Sequence, residues 1–219
     1  MTEEAQKEGF CALLGLSTLG LSELFKLGRL YNDEYCLKGT TYLNMKLILM
    51  MIMLTPMASN VIFDFNQKSN LKGWYIVDDV VMGGKSSGSF EISPEGHGIF
   101  SGNVSLDNYG GFSSLRYQFD RKPIEGFTKV ILKIKSDKKK YQFRVKSNSR
   151  DYYSYITTFK TNGDWQEVEL PLASMIPSFR GRKLNKPNFS SDSIEEIAIL
   201  IGNKKEEDFR LIIDKIGLE

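Results

Sequence analysis

The chain has 219 residues, of which 41% are hydrophobic and 26% charged, and a net charge of +2. That is enough for one ordinary domain with a buried core, and it excludes a disordered, fibrous or multi-span membrane chain. Two cysteines and one histidine cannot assemble a zinc finger, a haem pair, an iron–sulfur cluster or a histidine-based metal site. So small a charge also gives no reason to expect nucleic acid as a partner.

The first part of the chain differs from the rest. Cys11 and Cys36 both precede residue 45, and 10–30 is leucine-rich with helical spacing broken by Gly15, Gly20 and Gly28. Met45 and Lys46 then open a signal-peptide-like segment: an apolar stretch from Leu47 to Leu54, a proline, and small residues at Ala58 and Ser59. The apolar stretch is too short for a stable anchor, which takes roughly 20 residues. A signal peptide begins a chain, so the reading is that Met45 is the natural start. Residues 1–44 are then an over-called extension, 45–59 an export signal and 60–219 the folded body. On that reading the protein is exported, periplasmic or secreted; with a start at Met1 it is cytoplasmic.

From Val61 onward the apolar period is two. Leu115, Tyr117 and Phe119 alternate with polar residues, as do Val130, Leu132 and Ile134, then Tyr141, Phe143 and Val145, then Val168, Leu170 and Leu172. Each is a half-buried antiparallel strand. Ile197 to Ile201 is apolar on both faces and predicts a central strand; Phe209 to Ile216 predicts the last one. Turn signals such as Pro94-Glu-Gly and Thr161-Asn-Gly-Asp separate them. About ten short strands predict an all-β sandwich or barrel. The only candidate helical turns are at Ala173 to Ile176 and Ser190 to Glu195.

Three clusters interrupt the strand pattern. In Trp74-Tyr-Ile-Val-Asp-Asp-Val-Val-Met-Gly-Gly, the pair Asp78 and Asp79 could accept hydrogen bonds from a ligand or hold a calcium ion. Spacing alone favours one aspartate in a local turn and the other in water, with Met82, Gly83 and Gly84 forming a tight loop. In Asn108-Tyr-Gly-Gly-Phe-Ser-Ser-Leu-Arg116, alternation turns Phe112, Ser114 and Arg116 away from the core. They could bind a sugar or peptide, or Arg116 could pair with an acid such as Asp79. In Pro177-Ser-Phe-Arg-Gly-Arg-Lys183, Phe179, Arg180 and Arg182 could meet an anion, although basic loops are usually solvated. Tyr153 and Tyr155 read as core by default, and His97, in a turn, as exposed and inert. No glycosidase acid pair, P-loop or dinucleotide pattern occurs.

Together these clusters resemble the complex I intermediate-associated protein 30 family. The resemblance rests on Trp74, Asp78-Asp79, Met82-Gly-Gly, Ser86, Phe100-Ser-Gly and Ser105-Leu. It continues through Gly110-Gly-Phe-Ser-Ser-Leu-Arg116, Tyr141, Tyr155, Phe159 and Trp165-Gln-Glu-Val-Glu-Leu-Pro171. It ends in Phe179-Arg-Gly-Arg182, Phe209-Arg-Leu and Ile213-Asp-Lys-Ile216. It covers nearly all of Val61 to Leu218. The family implies a galactose-binding-domain-like jelly roll and a non-enzymatic, chaperone-like assembly role. The signal-like segment departs from the mitochondrial pattern and points to a bacterial member. The alternative is a carbohydrate-binding module. The expected site comprises Trp74, Asp78, Asp79, Met82, Gly83, Gly84, Phe112, Ser114, Arg116, Tyr155, Phe179, Arg180 and Arg182. Asp78, Asp79, Met82 to Gly84, Phe112 and Arg116 are expected to form one surface. The expected partner is a protein or a glycan, without nucleic acid, metal or other cofactor, and the expected state is a monomer.

Overall fold

The computed structural model describes residues 60–219. The segments 1–44 and 45–59, and the signal-like run within them, lie outside the described residues. The body holds thirteen strands and, among the described residues, only short 3-10 turns besides: β1 (Asn60–Asp64), β2 (Trp74–Asp78), β3 (Ser87–Ile92), β4 (Gly98–Val104), β5 (Ser113–Pro123), β6 (Lys129–Ser136), β7 (Lys140–Lys146), β8 (Ser154–Lys160), β9 (Gln166–Pro171), β10 (Ile176–Phe179), β11 (Arg182–Lys183), β12 (Ser193–Ile201) and β13 (Glu207–Leu218).

The strands form two antiparallel sheets. The seven-stranded sheet runs β11-β10-β8-β7-β12-β5-β2. The six-stranded sheet runs β3-β4-β13-β6-β9, with β1 also on β13. β4 pairs with Glu207 to Ile213 of β13, and β1 pairs with Lys215 to Leu218 of the same strand. The register of β13 against β6 shifts between Ile213 and Lys215, so the handover coincides with a bulge at Asp214. The bulge is held in place locally. Asp214 accepts the Phe65 backbone N–H at 2.9 Å, its Oδ1 lies 3.0 Å from His97 Nδ1, and its Oδ2 lies 2.8 Å from Lys133 Nζ. His97 also sets its ring against Trp165. It is half-buried rather than exposed, because the bulge supplies an acid that local sequence does not reveal.

The alternation read from the sequence carries through. Leu132 and Ile134 of β6, Phe143 and Val145 of β7, and Ile197, Ile199 and Ile201 of β12 meet Leu211, Ile213 and Ile216 of β13 in one core. Fully burying each such side chain contributes roughly 1.5–3 kcal/mol, so the interior between the sheets outweighs any single surface feature. β12 is buried along almost its whole length and lies between β7 and β5, as its two apolar faces require. Phe63, Phe65, Trp74, Phe90 and Tyr117 close one flank, with Trp74 stacked on Tyr117 at 4.5 Å between ring centroids. Two expectations are corrected. Leu172–Ser174 forms the short turn predicted near Ala173, but Ser193 already belongs to β12, so 190–195 is not helical. The strand count exceeds ten because β1, β2 and the two-residue β11 are short edge pieces whose pairing, not period, defines them.

Candidate functional site

Three groups of side chains stand out on the body. The first lies where the chain leaves β2. Asp79 opens a 3-10 turn through Met82, and Gly83 closes it by donating its N–H to Val80 O at 2.9 Å. The Asp79 side chain is fully buried. Its Oδ1 accepts the Ser86 N–H at 2.9 Å, and its Oδ2 accepts the Ser86 hydroxyl and the N–H groups of Gly111 and Phe112. Burial works against its charge, but the donors from Ser86, Gly111 and Phe112 outweigh it and hold the carboxyl below the usual range. The carboxylate therefore joins loop 79–86 to loop 105–112. It also explains the glycines: a Cβ at Gly84 or Gly110 would collide with the Asp79 carboxylate. Asn108 adds a second tie, its Nδ2 donating to Gly83 O at 3.0 Å.

Neither aspartate is solvated, which corrects the local-turn reading. Asp78 Oδ2 accepts the Gly88 N–H at 2.9 Å, and its Oδ1 is buried without a partner. What the two loops present outward is apolar. Val80, Val81 and Met82 are exposed on one loop, and Leu106 and Tyr109 on the other. Asn108 and Tyr109 hold positive φ values of 54° and 61°, and the tie to Gly83 keeps Asn108 there.

The second group occupies the outward face of the seven-stranded sheet. Tyr75, Arg116, Ala198 and Arg144 form one row across β2, β5, β12 and β7. Arg116 is thus separated from Asp78 and Asp79. Its partner is Glu196, at 3.3 Å from Arg116 Nη1. The buried Glu196 carboxylate also accepts the Tyr75 hydroxyl at 3.3 Å and lies 3.6 Å from Lys146 Nζ. Burial raises the Tyr75 phenol, and Glu196 adds to that rise. Arg144 has no carboxylate among the described residues; its Nη2 donates to Gln142 Oε1 at 2.8 Å. Burial, reinforced by the Arg116 charge, brings its guanidinium down to about 10, still cationic at neutral pH.

The third group lines the β8–β10 edge. Tyr152 lies edge-on to both Tyr153 and Phe179, each with ring centroids 5.2 Å apart. Arg180 lies over the Phe179 ring and Lys186 over Tyr153. Arg182 is exposed on β11. Tyr155 packs inward on Phe189; its bond to Tyr153 and its burial push its phenol up to about 12.

Residues 63–213 match the family model described as Complex I intermediate-associated protein 30. The chain belongs to that family. A relative from Drosophila melanogaster, "Complex I intermediate-associated protein 30, mitochondrial", is 24% identical over 75% of this chain and 64% of its own length. The Mus musculus protein of the same name is 23% identical over 73% of this chain and 56% of its own. The chain thus spans less than two thirds of the length of these relatives. Among solved structures, a family 11 carbohydrate-binding module of a Clostridium thermocellum cellulosomal cellulase superposes with a TM-score of 0.53 at 18% identity, over 73% of this chain and 93% of the module. The same module in complex with a β-1,3-1,4-mixed-linked tetrasaccharide gives 0.54 at 18% identity, over 73% and 94%. These likenesses establish the jelly-roll sandwich.

Within this family member, the expected site separates. Asp79, Met82, Gly83, Gly84 and Phe112 come together at the loop pair, while Arg116 and Ser114 lie on the sheet face. Phe179, Arg180 and Arg182 lie at the far edge of the same sheet. Trp74 and Tyr155 pack against the core, because strand parity turns both inward, so they are not side by side with Arg116. Glu196, Arg144, Lys146 and Tyr75 were not singled out in the sequence. The readable signal for Arg144 was the outward series Lys140, Gln142, Arg144, Lys146 on one strand, without an acid between them.

Proposed function

We propose that this chain is a non-enzymatic, protein-binding module of the assembly-factor kind. The observation that carries the reading is the loop pair. Five exposed apolar side chains, Val80, Val81, Met82, Leu106 and Tyr109, sit on two loops fixed to each other by a buried carboxylate. An exposed apolar patch on a soluble body marks a contact surface, and a rigid one loses little entropy on binding. The names of its relatives support a protein complex as the partner.

A photo-crosslinking amino acid at Val81, introduced in native cells, tests this. A discrete protein adduct is expected at Val81 and none at the remote Lys122. Equal or absent adducts at the two positions overturn the reading. We also propose that residues 60–219 fold without the preceding segment; a chain begun at Asn60 melts cooperatively on that view, and a broad melt refutes it. We propose export with cleavage after the signal-like segment. N-terminal peptide mass spectrometry should find the mature end near Ala58 to Asn60; a mature protein beginning at Met1, Thr2 or Met45 in the cytoplasm refutes export.

A second reading, a carbohydrate-binding module, is favoured by the outward sheet face. Hydroxyl and amide groups from Tyr75, Gln142 and Thr158 lie beside its arginines, as a polyol ligand needs.

A further inference from the structure

Tyr141, Phe143 and Val145 are claimed by the core, so the outward side of β7 carries Lys140, Gln142, Arg144 and Lys146. Its neighbours balance that charge only at Lys146. On β8, Lys160 lies opposite Lys140, Thr158 opposite Gln142 and Ile156 opposite Arg144. On β12, Leu200 lies opposite Gln142, Ala198 opposite Arg144 and Glu196 opposite Lys146. Glu196 lies 3.6 Å from Lys146 Nζ and is shared with Arg116 and Tyr75, so Arg144 and Lys140 are the cations of this strand left without an acid among the described residues. Like charges facing each other across a sheet destabilise it, and Lys140 and Lys160 do so here.

The donors on this face are also incomplete. Arg144 Nε, Arg116 Nε and Ser114 Oγ are buried without a partner, whereas buried polar groups in folded proteins nearly always have one. At one end the face opens into a cavity of about 340 Å³ lined by Lys140, Gln142, Leu200, Gly202, Asn203 and Lys204. That end has room for a sugar ring between two lysines and an amide.

We propose that this face binds an acidic oligosaccharide lying along β7. Its carboxylates meet Arg144 and Lys140, and its hydroxyls meet Gln142 and Thr158. The glycan class rests on the second reading above; the selection for negative charge is what the cation row adds. A planar guanidinium matches a carboxylate in forked geometry. An acidic peptide is the poorer fit. Peptides gain affinity on a sheet chiefly by adding a strand to an open edge, and β7 is flanked on both sides.

The test is calorimetric titration of the full chain with a panel of uronic-acid trisaccharides, their neutral methyl esters, and a glutamate-rich peptide of equal charge. Binding of at least one uronate is expected, at least tenfold tighter than its ester and than the peptide, and weakening with salt. Arg144→Gln is expected to weaken it at least tenfold, and the exposed Lys140→Gln severalfold; the latter sits at the rim and keeps the test valid if Arg144→Gln misfolds. Equal binding of acid and ester overturns charge selection while leaving a glycan site. Tighter binding of the peptide replaces the glycan with an acidic polypeptide. No binding by any probe, or uronate binding unchanged in a folded Arg144→Gln or in Lys140→Gln, removes the site.

Discussion

The loop pair around Asp79 and the sheet face around Arg144 treat their buried polar groups in opposite ways. At the loops, one carboxylate accepts four hydrogen bonds, and what remains outside is apolar. On the face, two guanidinium nitrogens and a hydroxyl are buried without partners, and one carboxylate serves two cations and a phenol. A completed polar network holds structure and offers nothing more to a ligand. An incomplete one leaves donors for a molecule from outside. Asp79, which looks chemical in the sequence, thus ties the loops together, and the open donors lie on strands that read as ordinary.

The contrast is open to attack in order of effect. Asp79→Ala strands the Ser86, Gly111 and Phe112 donors, and should cost about 3 kcal/mol or more in urea unfolding. A loss under about 1 kcal/mol, within the range of ordinary surface changes, would mean that the loops do not depend on the carboxylate. Glu196→Ala leaves Arg116 and Lys146 without their shared acid, and should cost about 2–3 kcal/mol, because Arg116 retains partial access to water. An unchanged melt there would make the face more solvated than its geometry implies.

A pH series sharpens the same contrast. The Asp79 carboxyl lies lower in the folded than in the unfolded chain, so its stabilisation is complete above the unfolded value, about 3.9. It is lost as pH falls through the folded value. The wild type should therefore shed more stability between pH 5 and strong acid than Asp79→Ala does, read from melts at each pH. Parallel losses in the two chains would refute the assignment. The smallest expected effect is Val81→Ser. Being exposed, it should move stability by no more than about 0.5 kcal/mol while reducing adduct formation from a photo-crosslinker placed at Met82. A destabilised Val81→Ser chain would show that the tip is packed, not presented.

The fold was legible because burial imposes a two-residue period, and Ile197 to Ile201 announced a central strand by being apolar on both sides. The site was less legible because its bonds are long-range. Glu196 lies 80 residues from Arg116, and which acid faces an arginine is decided by register between β5 and β12, not by spacing along the chain. Asp79 reaches Gly111 and Phe112 across 32 and 33 residues. The glycine-rich motifs around it reported close approach, and the sequence could not say that the approaching atom belongs to the protein itself. Trp74 read as a site residue because aromatics at a strand start are ambiguous until parity is fixed by the partner strand.

The placement of β13 has a consequence for biosynthesis. It is the spine of the six-stranded sheet, pairing with β4, β6 and β1, yet it leaves the ribosome after all three. About a hundred residues separate the end of β4 from the start of β13, or on the order of 5–20 s of translation. Throughout that interval β1 and β4, and β6 once it is made, have no partner at the centre of their sheet. Until β13 (Glu207–Leu218) emerges, the central edges of that sheet stay unpaired, and a chain cut short before β13 would leave that half of the sandwich unzipped.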